Sequence, residues 1–380
     1  MEKQPAGIYI HVPFCVKKCR YCDFYSVTDL SRRRDFTDAL IREIERAPDP
    51  GPVDSLYFGG GTPSVLDPAE IARLVAAVLE RFSFHPDSEI TLEVNPGTVD
   101  EKKLPGFKAA GINRLNLGIQ SFNPGALTFL GRIHTAEESS RAIGAARTAG
   151  FDNLGLDLIY GLPGQTAEAL RRDLEKAASF NPEHLSCYIL TYEKGTLLDK
   201  DREKGIVSPL SESRTADLFL LACDLLDRLG YEQYEISNFA RSRAYRSRHN
   251  RKYWNFAPYI GLGPAAHSFL EPTRCWNHRD LGEYLEDLEK GRLPVEGKET
   301  LDKSRQMIEA VYLGLRQTRG IPVPDFNKRF AVDFKTLFEP VLSDPGLKKQ
   351  IETGEDFCRL SVQGLLVMDS IVARLVDLIQ

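Results

Sequence analysis

Through the first two hundred residues, short runs dominated by β-branched, aromatic and aliphatic residues alternate with longer stretches whose apolar positions recur every three or four residues. The strand-type runs are 7–12 (GIYIHV), 53–58 (VDSLYF), 88–94 (SEITLEV), 112–118 (INRLNLG), 153–161 (NLGLDLIYG) and 184–190 (HLSCYIL). Between them, 67–81 reads as a helix. Asp67 stands at its cap, Pro68 in its first turn, and Ile71, Leu74, Val75, Val78 and Leu79 on one face. A second helix is expected over 135–149, opened by Thr135 with Glu138 three residues on and closed by Gly150. Repeated strand–helix units imply a parallel sheet with right-handed crossovers. The unusual residues separate a curled sheet from an open one. A cysteine loop follows strand one, Gly59–Gly60–Gly61–Thr62–Pro63 follows strand two, Glu93 ends strand three, Gln120 follows strand four, Asp157 ends strand five and Tyr192 follows strand six. Polar groups from six strand ends meet in one place only if the sheet curls, so the expected α/β fold is a partial (β/α)6, TIM-like barrel with its site at the C-terminal end of the strands.

Beyond residue 205 the alternation loosens. A helix at 211–229, a strand-like YEQYEIS (231–237), a basic stretch and GLGPAAHSF (261–269) are read as a barrel extension. From about 281 the pattern turns mostly helical, including 301–318, and ends in FCRLS and the helix-like VMDSIVARLVDLIQ. The predicted division is therefore 1–205 for the barrel, 206–280 for the extension and 281–380 for a small, winged-helix-like C-terminal domain.

Composition narrows the function. The chain is 42% hydrophobic and 27% charged, as in a globular protein, and no segment approaches the roughly 20 apolar residues that span a bilayer. The start of the sequence lacks the pattern of a signal peptide, so the expected compartment is the cytoplasm. A net charge of −5 argues against sequence-independent nucleic-acid binding. Of seven cysteines, three stand together as Cys15, Cys19 and Cys22. Three thiols in one short loop suit an iron–sulfur cluster, with a fourth iron left without a protein ligand. A closed zinc site would instead need a fourth donor, with His11 and Asp23 nearest in sequence, and a second cysteine knuckle that the sequence lacks. Cys187 and Cys223 read as buried apolar residues.

The CxxxCxxC spacing after the first strand, with Tyr21 just before the last cysteine, resembles the radical S-adenosylmethionine (SAM) superfamily. There three cysteines hold a [4Fe–4S] cluster whose open iron chelates SAM, and an electron passed to the sulfonium yields a 5′-deoxyadenosyl radical. The resemblance narrows over YIHVPFC (9–15), GGGTP (59–63), LEVNP (92–96), LNLGIQSF (115–122), GRIHT (131–135), LDLIYGLPGQT (156–166) and RHNRKYWNFAPYIGLGPAAHSF (248–269). These segments are similar to the branch that contains oxygen-independent coproporphyrinogen III oxidases and HemW-type heme chaperones. The resemblance implies that Tyr9, Gly60, Gly61, Thr62, Glu93, Gln120, Arg132 and Asp157 line the SAM site, with Tyr21 near the adenine. Glu93 and Asp157 suit ribose hydroxyls, and Arg132 suits the SAM carboxylate.

Within the branch, the oxidases carry a further cysteine two positions after the third ligand, where this chain has Phe24. The chaperones' HNxxYW segment is present as His249-Asn250-Arg251-Lys252-Tyr253-Trp254. The resemblance thus implies heme binding, with His249 as the candidate iron ligand, Tyr253 and Trp254 as aromatic faces, and the neighbouring arginines as partners for the propionates. The alternatives are oxidative decarboxylation of coproporphyrinogen III and a non-catalytic scaffold for cluster and SAM. As a chaperone the protein would meet heme, client hemoproteins and an electron donor for its cluster. Peripheral membrane contact and homodimer formation stay open.

Overall fold

Alternation of apolar and polar side chains along each strand gives the sheet two distinct faces in the computed structural model, which describes residues 4–379. Strands β1 (Ala6–Val12), β2 (Val53–Gly60), β3 (Phe84–Val94), β4 (Arg114–Gln120), β5 (Leu154–Tyr160) and β6 (His184–Ile189) pair in that order, all parallel. Ile8, Ile10, Leu56, Phe58, Leu92, Leu115, Leu117, Leu154, Leu156 and Leu185 point one way and are completely buried. They pack under the crossover helices, whose Phe36, Leu40, Ile71, Leu74, Phe107 and Leu174 fill the same core. The intervening residues point the other way: Tyr9 and His11, Ser55 and Tyr57, Glu89 and Glu93, Arg114 and Asn116, Asp157, His184 and Ser186. A polar concave face of this kind is stable only if ligands or other protein groups satisfy it.

The helices start where the chemistry of their caps expects. Asp67 and Glu70 form a reciprocal capping box at Pro68–Arg81, and Thr135 and Glu138 form another at Ala136–Thr148. The expected extension continues the same sheet. On one side lie β7 (Glu232–Gln233) and β8 (Asn238–Ala240), so the strand-like YEQYEIS supplies only two residues of strand. On the other, β9 (Tyr259–Leu262) runs parallel to β1 and is followed by antiparallel β10 (His267–Leu270), β11 (Thr273–Asn277) and β12 (Val295–Thr300).

The barrel sheet therefore runs past the expected boundary at 280. That boundary falls too early, because the loss of alternation there marks an antiparallel edge and not a new domain. The helix Leu281–Glu289 also belongs to the barrel side, where Tyr284 reaches the Arg33–Arg46 helix. The C-terminal unit follows β12. It consists of helices, from Lys303–Leu315 to Met368–Val376, around a three-stranded sheet of β13 (Ile321–Pro322), β14 (Ile351–Thr353) and β15 (Phe357–Leu360). Phe326, Phe330, Phe334 and Phe338 form its aromatic centre.

One ionisable group ties the extension to the barrel. Glu43, 2% exposed, accepts hydrogen bonds from the Gly263 amide (2.8 Å), Asn277 Nδ2 (2.6 Å) and the Tyr284 hydroxyl (2.6 Å). Burial outweighs these donors and raises its carboxyl to about 7. A carboxyl whose folded pKa lies above its unfolded value contributes stability that is full below about 4.5 and is lost as pH rises through 7. Glu43→Gln should therefore gain on the wild type by about 2–3 kcal/mol between pH 5 and pH 8. Urea unfolding of both proteins at the two pH values measures this, and parallel losses would refute it.

Candidate radical SAM site

The cysteine loop is held in place from several sides before any cofactor is considered. The Cys15 amide donates to Val27 O (3.0 Å) and the Val27 amide to Pro13 O (2.7 Å). From the loop after β2, the amides of Gly61 and Thr62 donate to Val12 O (2.8 Å) and Phe14 O (2.7 Å). Across the barrel mouth, Arg20 donates to Phe129 O (3.1 Å), pairs with Asp201 and lies over the Phe129 ring.

The glycines of Gly59–Gly60–Gly61 are explained by this packing. A Cβ on Gly61 would come within 2.7 Å of Phe14 O and 2.9 Å of Val12 O, backbone atoms that cannot move aside. Gly60 has φ +104°, and a Cβ there would run into the His11 ring at 2.7 Å. Glycine at 60 is thus explained by its backbone conformation and by the His11 ring, which takes the space of a side chain.

Among the described residues no group of three or more His, Cys, Asp and Glu side chains forms a mononuclear ion site. Cys15 Sγ meets Thr62 Oγ1 (3.3 Å), and Cys19 Sγ accepts from Arg132 Nη1 (3.4 Å). Burial pushes the Cys22 thiol up to about 11, a cost that a bound metal centre would reverse by holding the thiolate. His11 is already engaged, with Nε2 at 2.9 Å from Tyr25 O and Nδ1 at 3.2 Å from the Tyr9 hydroxyl, and so is a poor fourth ligand for zinc. The donor set fits a cluster held by three thiolates.

The expected SAM-site residues come from five strands and the loops that follow them, and several leave buried polar atoms without a partner. Glu93 accepts from the Tyr57 hydroxyl (2.7 Å), and burial raises its carboxyl to about 7. Asp157 accepts from Asn116 Nδ2 (2.5 Å) through one oxygen, while its Oδ1 is buried and unpaired. Its carboxyl is likewise raised by burial. Gln120, at φ +67°, has a buried and unpaired Oε1. Arg132 donates through Nη2 to Gly118 O (2.7 Å), and its Nε is buried with no partner. Tyr21 packs at the edge of a small apolar cluster around Leu130, Ile159 and Leu162. Orphaned acceptors on Asp157 and Gln120 beside an orphaned donor on Arg132 fit a ligand that carries hydroxyls and a carboxylate, as SAM does. Sequence reasoning missed Tyr57, Asn116 and Ser186, which hold Glu93 and Asp157. Their signal was present, since each lies an even number of residues from another concave-face residue of its strand or opposite one on the next.

The HNxxYW segment requires a correction. It forms the helix Arg248–Trp254, which closes the N-terminal end of the barrel, opposite the cysteine loop. The amides of Arg248 and His249 donate to Glu89 Oε1 (3.0 and 3.4 Å). His249 is 1% exposed and stacks on Tyr57. Its Nδ1 lies 3.2 Å from Ser55 Oγ and its Nε2 3.0 Å from the Tyr253 hydroxyl. With both nitrogens engaged and no exposed surface, it is not placed to take heme iron in this conformation. Three of the basic residues around it are engaged in ion pairs: Arg246 with Glu232, Arg248 with Asp87, and Lys252 with Asp54. Arg316 lies over the Trp254 ring.

A curled parallel sheet with a three-cysteine loop at its mouth and a glycine-rich loop clamping it defines a radical SAM barrel. Kinship points the same way. The Radical SAM superfamily family matches residues 9–177 and the HemN C-terminal domain family matches residues 301–367. In structure, the chain is similar to coproporphyrinogen III oxidase (HemN) from Escherichia coli, with a TM-score of 0.84 and 25% identity, over 98% of this chain and 90% of that one. In sequence it is 34% identical to the heme chaperone HemW of Lactococcus lactis subsp. lactis, over 89% of this chain and 88% of the relative. It is 34% identical to that of Mycobacterium tuberculosis (strain H37Rv) over 99% and 96%, and 37% identical to that of Escherichia coli (strain K12) over 77% and 81%. The chain belongs to the HemW family of the radical SAM superfamily.

Proposed function

We propose that this protein is a heme chaperone, which binds heme, holds a [4Fe–4S] cluster and SAM at the barrel mouth, and delivers the heme to client hemoproteins. The observation that carries the reading is the combination of near full-length kinship to HemW chaperones with Phe24, 66% exposed beside the cysteine loop. By the resemblance, oxidases of the sister branch have a further cysteine at that position.

Cys15, Cys19 and Cys22 would hold the cluster. Arg132, Glu93, Asp157 and Gln120 would bind and orient SAM, and Tyr57 and Asn116 keep the two carboxylates aimed into the barrel. When bound, the cluster supplies an electron to the SAM sulfonium. Among the described residues no helix is long and apolar enough to cross a membrane, and the cytoplasm is the compartment we propose.

The test is an anaerobic assay with reductant and SAM. Heme-loaded protein should pass heme to an apo-hemoprotein faster than heme alone transfers, and coproporphyrinogen III should stay unconverted. Robust decarboxylation would overturn the reading in favour of the oxidase. In the same assay Arg132→Ala should weaken SAM binding about tenfold or more, because alanine offers the SAM carboxylate no charged donor. Failure to form 5′-deoxyadenosine in the wild type would support the scaffold reading over SAM cleavage.

A further inference from the structure

Iron in a porphyrin needs an accessible lone pair, and few imidazoles in this protein have one. The ring nitrogens of His11, His134, His184, His249 and His278 are engaged by Tyr25 O, Ile119 O, the Tyr234 hydroxyl, Ser55 with Tyr253, and Asp287 respectively. Among the described residues only His85 and His267 are exposed without such a partner. His85 lies on an exposed run, with His85, Pro86 and Asp87 all open to solvent. His267 has different surroundings.

His267 opens β10 and stands directly opposite Trp276 of β11, and the two rings stack with centroids 5.9 Å apart at 28°. The flanking strands carry glycine where a side chain would crowd this pair. A Cβ on Gly261 would overlap the His267 backbone, and one on Gly297 would overlap the Trp276 ring. Phe269, one step along β10 on the same face, pairs with Arg274 and Tyr259 and lines a cavity of about 340 Å³ with Tyr253, Phe256 and Tyr312. The Lys303–Leu315 helix covers the cavity's far side, contributing Ile308, Glu309 and Leu313. The volume falls at the lower end of the roughly 300–1,000 Å³ typical of small-molecule sites, so a macrocycle would enter by one edge and keep the other in solvent. That suits a ligand which must be handed on.

We propose that His267 is the axial ligand by which this protein holds heme iron, with Trp276 and the adjacent aromatic cavity seating the porphyrin; this rests on the heme-handling reading above. Burial and the nearby Arg274 guanidinium lower the His267 imidazole below its usual pKa, so it is neutral and its lone pair free at physiological pH. The site shares the concave face of the sheet with the cofactor residues. Tyr9 pairs with Gly261, and β9 lies between β1 and β10, which places His267 about two strand spacings, roughly 10 Å, from Tyr9.

The test is titration of the full-length, cluster-reconstituted protein with hemin and, separately, with iron-free protoporphyrin IX. His267→Ala should weaken hemin binding about tenfold or more and shift the Soret band, with the spectrum restored by added imidazole. His85→Ala should match the wild type. Protoporphyrin IX should bind His267→Ala nearly as well as the wild type, because the aromatic neighbours remain and there is no iron to ligate. Unaltered hemin affinity and spectrum in His267→Ala would overturn the assignment while leaving heme handling intact. Equal losses for both porphyrins would show that His267 packs against the ring and does not ligate iron. No hemin binding by the wild type would defeat the heme-handling reading itself.

Discussion

Replacing Cys15, Cys19 and Cys22 together with Ala should remove the [4Fe–4S] cluster entirely, with iron and sulfide near zero after anaerobic reconstitution and no charge-transfer absorption near the visible edge. The effect is expected to be complete because no other thiol lies in the loop, and burial raises each of the four remaining thiols, Cys223 and Cys275 included. Cys187 and Cys358 are 3% and 1% exposed in the hydrophobic core, and burial pushes both thiols far above the usual range. Folding of the barrel should survive, since the loop is held by backbone hydrogen bonds from Val27, Gly61 and Thr62 and not by the thiols. Circular dichroism would verify that. Full cluster content in the triple variant would remove the basis of the site. Gly61→Ala gives the converse comparison: it keeps every thiol but drives a Cβ against Phe14 O at 2.7 Å, so the loop must shift and cluster content should fall.

How much of this was legible in the sequence depends on the range of the interaction that decides each feature. The barrel strands and their caps are set by neighbours two to four residues apart, and β1 to β6 and both capping boxes lie where periodicity and cap chemistry predict them. Convergence of Cys15, Glu93, Gln120 and Asp157 was readable because a parallel strand delivers its C-terminal residue to one end of the sheet. What the sequence could not show was which face a segment takes when it returns from far along the chain. The Arg248–Trp254 helix looks like a basic surface loop in sequence, yet its fate is decided by Glu89, Asp54 and Ser55, far earlier in the chain. His267 escapes a reading of the sequence for the same reason. Its exposure, its stack on Trp276 and the glycines beside it depend on the register of β9 to β12, which local pattern does not encode.

His249→Ala should therefore act as a core mutation, destabilising the protein by about 2–4 kcal/mol with little effect on the heme spectrum. The change removes a ring stacked on Tyr57 at 5.2 Å and strands two partners, Ser55 Oγ and the Tyr253 hydroxyl, in a closed space. The pH dependence identifies the mechanism. Burial lowers the His249 imidazole to about 3, with Lys252 and Arg114 adding to the shift. An imidazole whose folded pKa lies below its unfolded value takes up its proton only on unfolding, so its contribution to stability is full above about 6.5 and is lost as pH falls toward 3. The alanine variant has no such group. The stability gap between wild type and variant should thus narrow by about 2 kcal/mol between pH 7 and pH 5. Urea unfolding at the two pH values measures the gap, and hemin titration of the folded variant at pH 7 reads the spectrum. A constant gap, together with a Soret band shifted in His249→Ala but not in His267→Ala, would mean that the helix plug opens and that His249, after all, meets the iron.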